Sequence, residues 1–189
     1  MPYAIIQPPF TLKFREMPKP ELKSYYAWFM QVLPERVAGL EQAVREAPSH
    51  GAWRADLTPD SLIPLGEWFA SQVEVRKRTQ EELDEIKAGL TFPIEVSEEE
   101  LTNRTFSIAM DVGMYFSQVI LKNLPGTKWD QLLKNRRDAE YGQPVLMGFG
   151  VVPLNPVRIA TVIAYGISSH TKTGANLRAA YDTWARMKS

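Results

Sequence analysis

The chain contains no cysteine, so disulfides, thiolate nucleophiles and cysteine-ligated zinc are excluded, and a reducing compartment is expected. It has only two histidines, His50 and His170, and neither belongs to an H-E-x-x-H pattern, so no metal site is legible. The phosphate-cradling patterns G-x-G-x-x-G and G-x-x-x-x-G-K-[S/T] are both absent, and G-F-G at 148–150 does not replace them. No cofactor is implied. No apolar run approaches the ~18 residues of a membrane span. The N-terminal M-P-Y-A-I-I-Q-P-P-F lacks the basic start and apolar run of a signal peptide. The expectation is a cytoplasmic protein with no membrane association. An excess of either charge is also lacking: Lys+Arg and Asp+Glu each total 22, a formal net charge of zero. That balance disfavours a nucleic-acid partner, because phosphate binding calls for a basic excess or a concentrated basic face.

What remains is a chain of 189 residues that is 44% hydrophobic, enough for one good core and therefore one domain over 1–189. The pattern predicts an α+β fold, mainly helical, with a small antiparallel sheet. Residues 1–19 read as an N-terminal arm or edge strand, 20–90 as a helical part, and 97–189 as core helices with a β-hairpin. In T-L-K-F-R-E, Leu12 and Phe14 alternate with Lys13 and Arg15, which fits either a short edge strand over 10–16 extending the sheet or an extended arm laid on the body. The pair Pro8–Pro9 argues against a longer strand. Pro20 suits the first turn of a helix whose stripe is Leu22, Tyr25, Tyr26, Phe29, Met30 and Leu33. Pro34 is expected to kink or restart that helix, which continues through Val37, Leu40 and Val44 to the breakers A-P-S-H-G. Thr58, Pro59 and Asp60 open a second helix with Leu62, Leu65, Phe69 and Val73 buried. The charged run from Glu74 to Lys87 reads as a solvated continuation of it. There the basic triplet Arg76–Arg78 meets competing charge from Glu81, Glu82, Asp84 and Glu85. T-F-P-I-E-V, 91–96, reads as a short extended break.

The chain is organised around 97–155. Ser97 and Glu100 have capping-box spacing and introduce the most apolar helix, whose polar edge is Arg104, Ser107, Asp111, Gln118 and Lys122. Gly113 on it admits a close neighbour. Leu124-Pro125-Gly126 ends the helix. Strands near 129–134 and 144–150 follow, antiparallel and joined by the charged loop Asn135–Gly142, with Gly148 and Gly150 signalling a bulge. Asn155 and Pro156 then cap a second apolar helix with the polar edge Arg158, Thr161 and Tyr165, expected to pack on the first. His170 lies in a polar loop, and Leu177, Ala180, Tyr181, Trp184 and Met187 form the stripe of a final helix. Arg178 and Asp182 have the spacing of an i,i+4 pair.

In order along the chain stand D-V-G-M-Y-F (111–116), P-G-T-K-W (125–129), Y-G-Q-P-V-L (141–146) and L-N-P (154–156). Together they resemble a set of uncharacterised small bacterial domains, some of them associated with immunity proteins of polymorphic toxin systems. The resemblance spans residues 97–170 and rests on packing residues, so it carries over no catalytic residue. It implies a bacterial cytosolic protein that binds and neutralises a protein partner.

Two functional expectations follow. In the first, the chain is a non-enzymatic protein-binding module whose contact residues are Trp129, Arg136, Arg137, Asp138 and Tyr141, the residue types that most often anchor interfaces. In the second, a pocket between the two apolar helices gathers Asp111, Tyr115, Arg158 and Tyr165, and the protein is an enzyme or a small-molecule binder. Asp111 would be its base or cation ligand, paired with Arg158. The competing structural reading makes Asp111 a hydrogen-bond anchor for a loop or a helix end, since a buried charge needs partners.

Overall fold

The longest helix, α1 (Lys19–Glu46), opens with Pro20 in its first turn and buries Leu22, Tyr25, Phe29, Leu33, Leu40 and Val44 along one side. The computed structural model describes residues 3–92 and 95–188. α1 runs through Pro34 as a single element, so the expected restart does not occur. Pro34 is exposed, and Leu33 and Leu40 on either side hold both halves to the body. Thr58 then accepts from the Ser61 amide and caps a short 3-10 turn that leads into α2 (Leu62–Gln72).

The solvated continuation expected after α2 is replaced by a strand and a separate helix. Strand β1 (Val75–Lys77) pairs antiparallel with β2 (Glu99–Leu101). Between them α3 (Gln80–Ala88) starts afresh under a capping box made by Thr79 and Glu82. The Ser97–Glu100 box is also corrected. The Ser97 hydroxyl exchanges hydrogen bonds with the Glu99 backbone, and Glu100 sits on β2. The cap passes to Thr102, which accepts from the Thr105 amide and opens α4 (Asn103–Asn123). Pairing across some 24 residues outweighed a local cap, which is worth only about 1 kcal/mol. The segment 91–96 falls partly outside the described residues.

Helix α4 is the centre of the fold, with every residue from Ser107 to Ser117 buried. Strands β3 (Lys128–Gln131), β4 (Pro144–Phe149) and β5 (Val152–Leu154) form an antiparallel sheet in that order. The expected hairpin is present, with β3 shorter than predicted. Its third strand is β5 rather than residues 10–16, which form no strand. Gly148 (φ +125°) and Gly150 (φ +63°) allow this reversal, and the register shifts between Leu146 and Phe149, as a bulge does. Asn155 accepts from the Arg158 amide and caps α5 (Pro156–Ser168), which packs along α4. There a Cβ on Gly113 would stand 2.7 Å from the Val157 Cα and 2.8 Å from the Pro156 carbonyl oxygen. Helix α6 (Ala175–Lys188) is brought onto α2 by a second close approach, between Gly66 and Gly174, where a Cβ would collide with backbone. The result is a mainly helical α+β domain with two small antiparallel sheets. None of its described helices is long and apolar enough to cross a membrane.

Candidate functional site

Residues 3–17 follow the body as an extended arm, and the polar edge of α4 is what holds them. The Tyr3 hydroxyl donates to the Asp111 carboxylate, and the Ile6 amide donates to the Ser107 hydroxyl at 2.9 Å. From α1, Arg36 grips the same carboxylate with two nitrogens, Nε at 2.8 Å and Nη2 at 2.6 Å. That Nη2 also donates to the Ala4 carbonyl at 2.8 Å. The Tyr3 ring packs near Trp68, 6.4 Å between centroids. Burial, reinforced by the neighbouring Asp111 charge, pushes the Tyr3 phenol far up, so it stays a donor. Burial also pushes the Asp111 carboxyl up, against the pull of the Arg36 and Tyr3 hydrogen bonds. Both carboxylate oxygens are engaged, and the group serves as a pin for the arm.

The four polar residues expected to converge between the apolar helices pair off separately. Asp111 is held by Arg36 and Tyr3, not by Arg158. The Tyr115 hydroxyl accepts from the Leu57 amide and bonds the Ser61 hydroxyl at 2.7 Å. Arg158 donates to Glu140 at 2.6 Å. Tyr165 is exposed and stands edge-on to Phe106. α5 sits close on α4 at Gly113, and none of the four residues lines the concavity that α4 and α5 help to wall.

The loop residues divide in the same way. Tyr141 is 1% exposed, a core residue whose hydroxyl has no hydrogen-bond partner among the described residues. Its expected role as a surface anchor is therefore corrected: the loop turns its aromatic ring inward. Trp129 is half-buried edge-on to Phe29, 5.6 Å between centroids. Asp138 is half-buried and accepts from the Asn135 side chain at 2.8 Å. Arg136 and Arg137 are exposed. The other basic cluster is neutralised locally. Arg76 pairs with Glu82 at 2.7 Å and Glu100 at 2.6 Å, and Arg78 with Glu100 at 3.0 Å. Among the described residues no group of three or more His, Cys, Asp or Glu side chains could hold a metal. His50 is half-buried and His170 exposed.

The concavity that the sequence did not reveal lies beneath the arm. About 570 Å³ is walled by Ile6 and Phe14 of the arm, Tyr25 and Phe29 of α1, and Phe106 and Met110 of α4, with Val157 and Thr161 of α5 closing it. Arm residues Ile5 and Leu12 are also part of the wall and are 47% and 42% exposed. No charged side chain lines the space. The signal available in the sequence was the alternation of Leu12 and Phe14, which reads equally as a strand. Only the tertiary structure shows that the arm lies across helices.

The chain matches no family model, no curated protein and no solved structure.

Proposed function

We propose that this protein is a binding protein for a small apolar ligand, held in the pocket between the N-terminal arm and helices α1, α4 and α5. One observation carries the reading. The largest of the concavities described, about 570 Å³, lies in the range of small-molecule sites and is walled mainly by aromatic and aliphatic side chains. The second expectation is thereby moved from the α4–α5 contact to the arm, and Asp111 changes from reacting group to latch. A ten-carbon chain gains about 8 kcal/mol at ~0.8 kcal/mol per buried methylene. Losing about 2–4 kcal/mol of that to immobilisation sets the expected Kd between about 40 μM and about 1 mM.

The test is a titration with the neutral fluorophore Nile red. Wild type should bind it saturably and release it to 1-decanol. Thr161→Trp, on a half-buried wall position, should fill the space and abolish binding without changing the circular-dichroism spectrum or Tm. Saturable binding that is unaffected by Thr161→Trp would place the ligand elsewhere.

A second reading, a protein-binding module of the immunity type, is supported by the two exposed guanidinium groups of the 135–142 loop. Neither Arg136 nor Arg137 makes an ion pair among the described residues, so both are available to an acidic partner. A stoichiometric partner retained by wild type and lost by Arg137→Glu, with the fold unchanged, would favour it. A partner retained equally by both would remove the loop from the interface.

A further inference from the structure

We infer that the pocket under the arm selects by charge: it takes an uncharged hydrocarbon ligand, such as a long-chain alcohol or ester, and excludes the ionised acid of the same length. The inference rests on the pocket reading and adds the class of ligand to it.

Several polar groups of the wall are already committed to holding the fold. The Ser107 hydroxyl oxygen accepts from the Ile6 amide. The Thr161 hydroxyl donates to the Val157 carbonyl at 2.9 Å. The Asn155 side chain donates to Glu140 at 2.6 Å and to Gln143 at 2.9 Å, while its oxygen accepts from the Arg158 amide. These groups maintain the arm, α5 and its cap. What is left over is a hydroxyl proton on Ser107 and acceptor capacity on Thr161, together with the neutral carboxamides of the exposed Gln7 and Asn103 at the mouth. These neutral groups can meet an alcohol or a carbonyl, and none of them supplies the positive charge that would offset a carboxylate taken out of water.

No cation lines the pocket. The arginines on two of the helices that wall it, Arg36 and Arg158, are both committed. Arg36 is bound to Asp111 and the Ala4 carbonyl and lines a separate concavity. Arg158 is bound to Glu140 and lines another, between α5 and α6. An anion entering an apolar wall without a counter-charge loses its hydration and regains little of it. An alcohol loses one or two hydrogen bonds and recovers one. The exposed Ile5 and Leu12 extend the apolar wall to the surface, so the route in favours the same ligands.

The experiment is competition against Nile red at pH 7 with three ten-carbon compounds: 1-decanol, methyl decanoate and decanoate. The expected result is displacement by the alcohol and the ester, with decanoate weaker by about 30-fold or more. Thr161→Lys places an ammonium on the wall and should raise decanoate affinity about tenfold or more while changing that of 1-decanol by less than about threefold. Decanoate competing within about threefold of 1-decanol in wild type would overturn the charge selection and leave the pocket reading standing. Absence of saturable Nile red binding would overturn both. The wild-type comparison decides the matter if the lysine variant does not fold. If that variant melts like wild type and still rejects decanoate, the uncharged wall is not the cause.

Discussion

Replacing Arg36 by methionine isolates the latch that holds the arm. The Asp111 side chain is 1% exposed and that of Arg36 16%, so the variant leaves a buried carboxylate with Tyr3 as its one remaining side-chain partner. Breaking a buried pair from one side costs about 3–5 kcal/mol, and losing the bond to the Ala4 carbonyl adds about 1 kcal/mol. A total near 4–6 kcal/mol is a large share of the roughly 5–15 kcal/mol by which domains are stable. The pH dependence has a definite sign. Burial already holds the Asp111 carboxyl above its ordinary value, and removing Arg36 raises it further. A carboxyl whose folded pKa exceeds its unfolded one contributes stability when protonated, and that contribution is lost as pH rises through the folded value. The deficit of the variant is therefore greatest at neutral pH. It shrinks on acidification by up to about 1.4 kcal/mol per pH unit within the window between the two values. Urea unfolding followed by tryptophan fluorescence measures it, and Trp68 beside Tyr3 makes the signal sensitive to the arm. Adding Asp111→Asn to Arg36→Met removes the stranded charge, so the double variant should be more stable than the single one at pH 7.5. A single-variant cost below about 1 kcal/mol, or a double variant no more stable than the single, would refute the reasoning.

Gly113→Ala should destabilise by about 2–3 kcal/mol, because the added methyl meets α5 backbone that cannot rotate away. Gly39→Ala in α1, where nothing lies within 4 Å, should stabilise by roughly 0.5–1 kcal/mol in the same urea assay. Tyr141→Phe removes a buried hydroxyl without a partner among the described residues and should raise stability by about 1 kcal/mol. A loss of that size would reveal a partner for the hydroxyl. Glu82 is held down at about 2 by Arg76 and the Thr79 amide, so its contribution is present above its usual value of 4.5 and fades as pH falls through about 2. Acid titration by circular dichroism should show this dependence in wild type and not in Glu82→Gln.

How much of this was legible in the sequence depended on the range of the interaction. The apolar stripe of α1, the Thr58 and Asn155 caps, the β3–β4 hairpin and the tight seat at Gly113 rest on contacts within a turn or two, on strands joined by a single loop, or on a residue type with a single plausible use. Local chemistry was misleading where distant segments competed. Ser97–Glu100 has the spacing of a cap, yet Glu99 and Glu100 joined a strand because Val75–Lys77 lay within reach to pair with them. Leu12 and Phe14 alternate like a strand yet cover helices. Asp111 stood out as a buried carboxylate on an apolar helix, but its partners Arg36 and Tyr3 are 75 and 108 residues away, and no periodicity carries that information. The aromatic loop promised an exposed Tyr141 and delivered a buried one.

By itself, then, the sequence determined that this is one mainly helical α+β core organised around the segment 97–155, free of cysteine chemistry and of the G-x-G-x-x-G, G-x-x-x-x-G-K-[S/T] and H-E-x-x-H patterns. Those features follow from composition, period and capping, which act between near neighbours. Only the tertiary structure decided which side chains neutralise the buried Asp111, where the arm lies, and that an uncharged pocket opens beneath it. Pairing and cavity shape come from segments whose meeting depends on loop paths and helix crossings, and those are set by the packing of the whole chain.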